Sequence, residues 1–378
     1  EIYGCLVGSE MCIRDRSSFD NVGYPIAEIY EDGSFNITKH PGTGGLVSKG
    51  TVTAQLLYEI SSPAYINPDV IAHFDTLKIE ELEKDKVHVS GCRGSSPPKD
   101  HKVCINLAGG NRNGMEIILT GMDIKEKAKV FTDTLFKSVG GKDQFDEVFI
   151  ELHRTDKENP ITNEEAMASL VISVKSRNQE LVGRLFSAKI IELALANIPG
   201  FFAQTSPKSS GPVIVYWPAL IDSKYIKEKV HIDGQEIEVI PTSQLGLEEI
   251  YYQREPIKID NIESSSNSEV FFGDLFGTRS GDKGGCANLG VWAKNSTSFS
   301  FLYNFLTVEK IKELMPDLSK YEIERFELTN INSLNFYIHD ILQDGVSSNN
   351  RKDSQAKSLG EYLRAKKILV PSEILGET

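Results

Sequence analysis

A polar segment from Arg254 to Ser268 divides the chain and limits what either side can fold into. It contains a proline and the run Glu263-Ser264-Ser265-Ser266-Asn267-Ser268, with little periodic apolar signal. Composition of this kind is typical of linkers. About a hundred residues come after it, which suits one small domain. We therefore predict a main domain over 17–253, a linker over 254–268 and a C-terminal domain over 269–371.

Strand-like and helix-like periods alternate ahead of the linker, which favours a layered α/β main domain. A turn at Glu31-Asp32-Gly33-Ser34 predicts a hairpin over Tyr24–Thr38. The other predicted strands are Lys86–Ser90, Lys102–Leu107, Val148–Leu152 and Val213–Trp217, and the predicted helices are Thr51–Ile60, Ile124–Val139, Glu164–Leu170 and Gln179–Ala196.

The C-terminal part has the pattern of a small α+β domain with helices on one face of a sheet. Its predicted strands are Val270–Phe276, Ala287–Ala293, Tyr321–Leu328 and Leu334–Ile341, and its predicted helices are Phe299–Met315 and Ser354–Lys367.

Length and composition exclude several classes of protein. A chain of 378 residues implies two or three domains. The net charge of −13 is spread along the sequence and no basic, aromatic-interleaved stretch occurs, so we expect no nucleic-acid partner. The longest apolar runs, such as Ile190–Ala196, are far too short to cross a membrane. The five cysteines form no CxxC pair, which favours free thiols and a cytoplasmic location.

Residues 1–16 differ from the rest of the chain and resemble translated sequencing-adapter read-through. They have neither the apolar core of a signal peptide nor a helical or strand period. We expect them not to belong to the fold, with a genuine disordered terminus as the alternative. The missing start codon also suggests that the natural N-terminal part of the main domain is absent.

The strongest candidate site is the run Arg279-Ser280-Gly281-Asp282-Lys283-Gly284-Gly285, together with Asp274 and Asn288, predicted as a loop between two strands. The glycines allow a close approach of the backbone to a ligand. Arg279 and Lys283 could hold a carboxylate or phosphate, and Asp282 could orient one of them or act as a base. The alternative is a polar hairpin loop whose charges neutralise one another in water.

A second candidate is the glycine-rich turn that precedes the first predicted helix. A turn that leads into a helix N-terminus presents backbone N–H groups and a positive dipole end, which suits phosphate or the pyrophosphate of CoA. Neither the P-loop nor the dinucleotide pattern fits, and a plain strand-to-helix turn is the alternative. The candidate ligand-binding residues of this turn are His40, Gly42, Thr43, Gly44 and Gly45.

Weaker candidates lie at other strand ends. Arg93 is a candidate ligand-binding residue because α/β sheets collect ligands at such positions, although Arg93-Gly94 also suits a tight turn. Glu151 and His153 share one face of a predicted strand, but an acid and a histidine two residues apart are a weak metal signal. We therefore predict a solvated strand end there and assign no metal site.

Several motifs together resemble the acyclic terpene utilisation AtuA family, and the resemblance covers essentially Val22 to Pro371. The motifs are Gly23-Tyr24-Pro25-Ile26-Ala27-Glu28, the run from Thr38 to Val47, the run from Thr51 to Glu59, Asn67-Pro68-Asp69-Val70, Val89-Ser90-Gly91, Arg93-Gly94, Tyr216-Trp217-Pro218-Ala219 and the run from Arg279 to Gly285.

The resemblance implies a role in a bacterial pathway that degrades citronellol- and geraniol-type isoprenoids through CoA thioesters. It also implies a large α/β domain followed by a ferredoxin-fold domain. Family members normally carry more of the α/β domain ahead of the Gly23–Glu28 motif. Relatives commonly place an acidic residue where this chain has Cys286, so no acidic role is carried over to that position.

Two functional hypotheses remain open. In the first, the chain is an enzyme or ligase-like component that binds a branched acyl-CoA or its carboxylic acid. Arg279 and Lys283 then grip the carboxylate and Asp282 is the acid–base candidate. In the second, it is a non-catalytic partner of a carboxylase or lyase. No cofactor is assigned apart from CoA as part of a substrate, and a homo-oligomer is a further expectation.

Overall fold

The computed structural model describes residues 18–196, 198–239, 259 and 266–375. The described chain forms two compact units. The first contains the described residues within 1–104, 218–346 and 353–378, and the second contains those within 105–217 and 347–352. Residues 1–16 and most of the predicted linker 254–268 lie outside the described residues.

The strands and helices are numbered in chain order. The strands are β1 (Ile26–Ile29), β2 (Phe35–Thr38), β3 (Ala64–Ile66), β4 (Ile71–His73), β5 (Lys78–Glu83), β6 (Lys86–Ser90), β7 (Arg93–Ser95), β8 (Asp100–Thr120), β9 (Glu147–His153), β10 (Met167–Ser176), β11 (Phe201–Ala203), β12 (Gly211–Asp222), β13 (Lys229–Ile232), β14 (Gln235–Glu238), β15 (Asn267–Phe271), β16 (Phe276–Lys283), β17 (Cys286–Ala293), β18 (Ile323–Leu328), β19 (Ser333–Ile338) and β20 (Lys367–Pro371). The helices are α1 (Lys49–Leu56), α2 (Ile124–Ser138), α3 (Arg184–Ala194), α4 (Phe272–Leu275), α5 (Ser296–Phe305), α6 (Val308–Leu314), α7 (Leu359–Arg364) and α8 (Ser372–Leu375).

The second unit is a two-layer structure of a sheet and two helices. Its strands pair in the order β11-β8-β10-β9, and β12 also pairs with β8. Alternate residues of β8 and β10, such as Ile117 and Leu170, point into a core that also contains Phe131 of α2 and Phe186 of α3. Because side chains alternate across a strand, the opposite face of the same sheet carries polar residues, among them Glu116, Ser169, Lys175 and His153.

The C-terminal sheet of the first unit has the order β16-β17-β19-β18, with neighbouring strands antiparallel. One face carries Leu289, Val291 and Phe336, which pack against α5, α6 and α7 in the largest core. The other face carries Asn288, Gly290 and Asn335. The helices therefore cover one face of the sheet, as the sequence predicts.

The opposite face of the C-terminal sheet is covered by the N-terminal part of the same unit. The sheet β1-β2-β6-β5 and helix α1 share a core with Trp292 of β17 and Leu328 of β18. Val52 and Leu57 are the residues that bring α1 and the turn after it into this core. The C-terminal sheet is thus buried on both faces, and the end of α1 lies against it.

Several sequence predictions about local structure are wrong. The predicted strand Val270–Phe276 is not continuous, because Phe272–Leu275 forms helix α4 between β15 and β16. Glu164–Leu170 is a short 3₁₀ turn followed by strand β10, because its apolar residues point into the core of the second unit as strand residues. The predicted helix Phe299–Met315 is two helices, since Thr307 caps the second one by accepting a hydrogen bond from the backbone N–H of Lys310. The run Arg279–Lys283 is not a loop but the end of strand β16.

Other predictions are confirmed. The hairpin over Tyr24–Thr38 exists as β1 and β2, and Lys86–Ser90 is strand β6. The predicted helix Gln179–Ala196 begins only at Arg184 and ends at Ala194. The mixed α/β class is confirmed. In the part of the chain that the structure describes, no helix has the length and apolar character needed to span a bilayer.

Candidate functional site

The site forms where the end of α1 meets the edge strand of the C-terminal sheet. Helix α1 begins after Ser48, whose hydroxyl accepts a hydrogen bond from the backbone N–H of Thr51 at 3.2 Å, while the Thr51 hydroxyl accepts one from the Ser48 N–H at 2.9 Å. The helix ends at Leu56, and the chain turns sharply because Glu59 adopts a φ of +57°. This turn presents Tyr58 and Glu59 to strand β16.

Two buried asparagines hold the turn in place. Asn288 donates from Nδ2 to the backbone oxygen of Leu57 at 2.6 Å and accepts at Oδ1 from the backbone N–H of Glu59 at 2.9 Å. It also donates to Oδ1 of Asn335 at 2.9 Å, and Asn335 donates to the backbone oxygen of Ser61 at 3.1 Å. Both side chains are fully buried, so these bonds satisfy groups that water cannot reach.

Two glycines make this close approach possible. A Cβ on Gly281 would lie 2.7 Å from Cε2 of Tyr58 and 2.8 Å from Cγ of Glu59. A Cβ on Gly290 would lie 2.6 Å from Cβ of Leu57. Such distances are too short for real carbon contacts, so glycine at these two strand positions permits the packing.

Two cations lie over the Tyr58 ring. The Arg279 guanidinium carbon is 4.1 Å from the centre of the Tyr58 ring, and Nζ of Lys357 is 4.3 Å from the same centre. Attraction between a cation and the face of an aromatic ring is strongest when both are desolvated. Arg279 is only 6 % exposed, so it contacts the Tyr58 ring from within the protein and holds the ring in position.

Glu59 carries the most perturbed carboxyl of the site. Nζ of Lys357 lies 3.0 Å from its Oε1. Burial, and then the negative charge of Asp282, raise the pKa of Glu59 to about 7, although Lys283 and Arg279 act in the opposite direction. A carboxyl group with such a pKa is partly protonated and partly ionised at neutral pH.

Asp282 and Lys283 extend the cluster at the end of β16. Burial raises the pKa of Asp282, with a smaller contribution from the charge of Asp353. Burial likewise lowers the pKa of Lys283, and repulsion from Lys102 adds to this effect. Perturbed pKa values that converge on one half-buried place are typical of functional sites.

An aromatic surface adjoins Lys283. Its Nζ lies 5.5 Å from the centre of the Tyr65 ring, and Tyr65 stacks on Phe74 with the ring centres 5.1 Å apart. Tyr65 is 36 % exposed on the side of β3 that meets Lys283, and the adjacent Ile66 projects to the other side of the strand. The site therefore combines charged groups with accessible apolar surface.

Comparison with protein families identifies the two parts of the sequence. Residues 5–232 match the model of the acyclic terpene utilisation family protein AtuA, and residues 272–369 match the AtuA ferredoxin-like domain. This chain belongs to the AtuA family. No curated protein and no solved structure matches it. The match confirms the order of an α/β part followed by a ferredoxin-like domain, and the family links the chain to acyclic terpene utilisation.

The first family match begins at residue 5, within the sixteen residues expected to be foreign. Those residues lie outside the described structure. Their foreign origin therefore stays a prediction, as does the division at 254–268.

Within the AtuA ferredoxin-like domain, the predicted site residues separate into two groups. Arg279, Gly281, Lys283 and Asn288 lie on the face that meets Tyr58 and Glu59, and Asp282 follows at the same strand end. The other predicted residues lie elsewhere. Ser280 accepts a hydrogen bond from the N–H of Gly360 on the helix face of the sheet. Gly284 and Gly285 form the turn next to Leu342, and Asp274 is exposed in α4 at the other end of β16.

The glycine-rich turn before α1 lies at the other end of that helix. A helix of eight residues is about 12 Å long, so this turn and the Tyr58–Glu59 turn are well separated. Backbone oxygens accept from its N–H groups, namely those of Asp20 for Gly44 and Ser18 for Gly45. Glu81 accepts from the first helical N–H, that of Lys49, at 3.1 Å.

The remaining residues of that turn are His40, which is exposed, Gly42, which has a φ of +73°, and Thr43, whose hydroxyl donates to the His40 backbone oxygen at 2.7 Å. The chain's own acceptors thus use the groups that were expected to bind an anion. Arg93 is exposed on β7, where its strand pairs with β4.

The pair of Glu151 and His153 lies in the second unit. Oε2 of Glu151 and Nε2 of His153 are 3.3 Å apart, without hydrogen-bond alignment. No group of three or more His, Cys, Asp and Glu side chains suited to a metal ion occurs within 18–196, 198–239 and 266–375.

Three residues of the site escaped sequence reasoning: Tyr58, Glu59 and Lys357. Tyr58 and Glu59 belong to a predicted helix, and nothing in the sequence marks the positive φ that ends it. Lys357 lies 298 residues after Glu59, so their contact depends on the tertiary fold.

Proposed function

We propose that the chain binds a branched isoprenoid carboxylic acid, or its CoA thioester, at the cluster of Tyr58, Glu59, Asp282, Lys283 and Lys357. We call this cluster the Glu59 site. The observation that carries the proposal is the convergence at the Tyr58 turn of two half-buried acids, Glu59 and Asp282, with Lys283, all three with perturbed pKa values.

The lysines give the site its affinity for an anion. Lys283 is partly buried, and Lys357 has a side-chain exposure of 37 %. An ammonium group that is partly removed from water interacts more strongly with a carboxylate or a polarised carbonyl than an exposed one does. We assign Arg279, which is almost fully buried behind Tyr58, to holding the ring rather than to contact with the ligand.

The aromatic surface gives the site a place for a hydrocarbon chain. Tyr65 is accessible on β3, and its ring centre lies 5.5 Å from Nζ of Lys283. Binding sites for amphipathic small molecules combine apolar walls with a few placed polar groups. A branched isoprenoid tail along β3, with its carbonyl group at Lys283, satisfies both features.

A cytoplasmic location belongs to the same proposal. The thiol of Cys92 is free and exposed, and that of Cys286 is free and partly buried. Free thiols of this kind persist in reducing compartments.

Calorimetric titration tests the proposal. The full chain is titrated with CoA, with the CoA thioester of a geraniol-derived enoic acid and with the free acid. Replacing Lys283 with methionine should weaken binding of the acid and thioester by about tenfold, the loss of one charge-assisted contact. Lys175→Met is the matched control, because Lys175 is a buried lysine of the second unit, paired with Glu147 at 2.6 Å.

The outcomes separate the two functional hypotheses. Binding that depends on Lys283 but not on Lys175 supports the proposed site. If none of the compounds binds, the proposal fails and the role as a non-catalytic partner of a carboxylase or lyase is favoured instead. Binding that both variants retain would place the ligand elsewhere.

A further inference from the structure

The position of Glu59 is fixed more tightly than binding alone requires. Its backbone has a φ of +57°, a conformation that side-chain-bearing residues adopt rarely and at a cost. The N–H of Glu59 is bound by the fully buried Asn288 at 2.9 Å, and the side chain lies over Gly281. Backbone strain that the surrounding structure maintains is often found where a side chain must be aimed.

Charged groups from three elements surround the Glu59 carboxyl. Strand β16 contributes Asp282, Lys283 and Arg279, all of which act on the ionisation of Glu59. The segment before α7 contributes Lys357, in contact with Oε1, and Asp353, which acts on Asp282. Strand β8 contributes Lys102 through its effect on Lys283. Positive and negative groups thus both lie near the Glu59 carboxyl and act on its ionisation.

We propose that Glu59 is the general acid–base of this site, and that the ligand is an acyl compound with an ionisable C–H beside its carbonyl or one double bond removed from it. This inference rests on the proposed function, since it takes the acyl ligand as given. It adds a reaction class, reversible proton transfer at carbon, to a binding site.

The step needs no further reactant. The ionised Glu59 carboxylate takes the proton from carbon, and the electron pair of the C–H bond becomes part of an enolate. The negative charge then resides on the carbonyl oxygen, where the Lys283 ammonium stabilises it. Return of the proton from Glu59 to the same carbon regenerates the ligand. Return to the other end of the conjugated system moves the double bond.

The ionisation of Glu59 suits this role. Burial and the charge of Asp282 raise its pKa to about 7. A proton-transferring group works best when its pKa lies near the working pH, because both protonation states are then populated.

Solvent exchange tests the inference directly. The full chain is incubated in deuterium oxide with the CoA thioester of a geraniol-derived enoic acid, and deuterium in the recovered thioester is followed by NMR. We expect deuterium at the carbons attached to the end of the C=C bond that is remote from the carbonyl group. Glu59→Gln should reduce the exchange rate by about 100-fold or more when the thioester is saturating, so that the loss lies in proton transfer and not in binding.

Glu116→Gln is the matched control. Glu116 also pairs with a lysine, Lys352, at 3.1 Å, but it lies in the second unit. Its replacement should leave exchange unchanged. In the unmodified chain the exchange rate should rise with pH through an inflection near the Glu59 pKa of about 7. Lys357→Met should move that inflection to higher pH, because the cation that favours the ionised carboxylate is gone.

The results distinguish failure of this inference from failure of the proposed function. Binding without exchange, exchange that survives Glu59→Gln, or a rate that does not vary with pH would overturn the role of Glu59 and leave the binding site standing. Absence of binding would overturn both. If Glu59→Gln does not fold, the inflection of the unmodified chain together with its shift in Lys357→Met decides the matter, because Lys357 contacts Glu59 directly.

Discussion

Replacing Asn288 with alanine should both destabilise the chain and loosen the candidate site. The Asn288 side chain is fully buried and makes three hydrogen bonds, to Leu57, Glu59 and Asn335. Each such bond contributes about 1 kcal/mol net, so we expect the free energy of unfolding to fall by about 3 kcal/mol. The loss should not be much smaller, because the backbone and side-chain groups that Asn288 binds would stay buried without a hydrogen-bond partner.

Urea unfolding followed by circular dichroism measures this loss, and calorimetry with the geraniol-derived thioester measures the effect on the site. Asn113→Ala is the matched control, because Asn113 is 5 % exposed and also makes three bonds, donating to Gly183 and Lys208 and accepting from Gly114. Both variants should lose similar stability, but only Asn288→Ala should weaken ligand binding, by about tenfold or more. A loss below about 1 kcal/mol, or unchanged affinity, would mean that Asn288 does not hold the turn and the site together.

The same geometry leads to three further predictions. The pKa of Glu59 is raised to about 7, so the stability that the protonated carboxyl contributes is present at low pH and is lost as pH rises from the ordinary value of 4.5 through 7. Glu59→Gln lacks this titration. Urea unfolding should therefore show its free energy of unfolding rising relative to that of the unmodified chain over the same pH range, by about 1 kcal/mol after allowance for solvent exposure. Gly290→Ala would place a Cβ 2.6 Å from that of Leu57 and should cost about 1–3 kcal/mol in the same assay, whereas Gly211→Ala, with nothing within 4 Å, should change stability by less than about 0.5 kcal/mol. Arg279→Lys should lower the melting temperature although the charge is conserved, because an ammonium lacks the planar, weakly hydrated group that the guanidinium holds 4.1 Å from the ring centre. An unchanged melting temperature would contradict this.

Local patterns in the sequence were sufficient for part of the fold. The hairpin β1–β2 follows from alternating residues around a glycine turn, and α2 follows from a helical apolar period. These features depend on neighbours along the chain, so one sequence reveals them. The error at Glu164–Leu170 arose because a short apolar run has no decisive period, and tertiary packing made it strand.

The candidate site was predictable in its chemistry but not in its geometry. The charges and glycines of Arg279–Gly285 indicate a functional site, but glycines in such a run also predict a loop, which the structure does not have there. Gly281 instead lies within strand β16, where the lack of a side chain lets the turn after α1 pack directly on it. That contact joins residues more than two hundred positions apart, as Asn288 and Leu57 do at a separation of 231. Periodicity contains no information about pairings at that distance.

The proposed ligand site depends on an unusually basic carboxyl group where the turn after α1 meets the end of β16. Titration of the Glu59 side-chain carbon by ¹³C NMR, with and without the geraniol-derived acid, measures this property directly. We expect a midpoint near pH 7 in the free protein, and a higher midpoint once a second negative charge is bound nearby. A midpoint near the ordinary glutamate value of 4.5 that does not respond to the acid would contradict the proposed site.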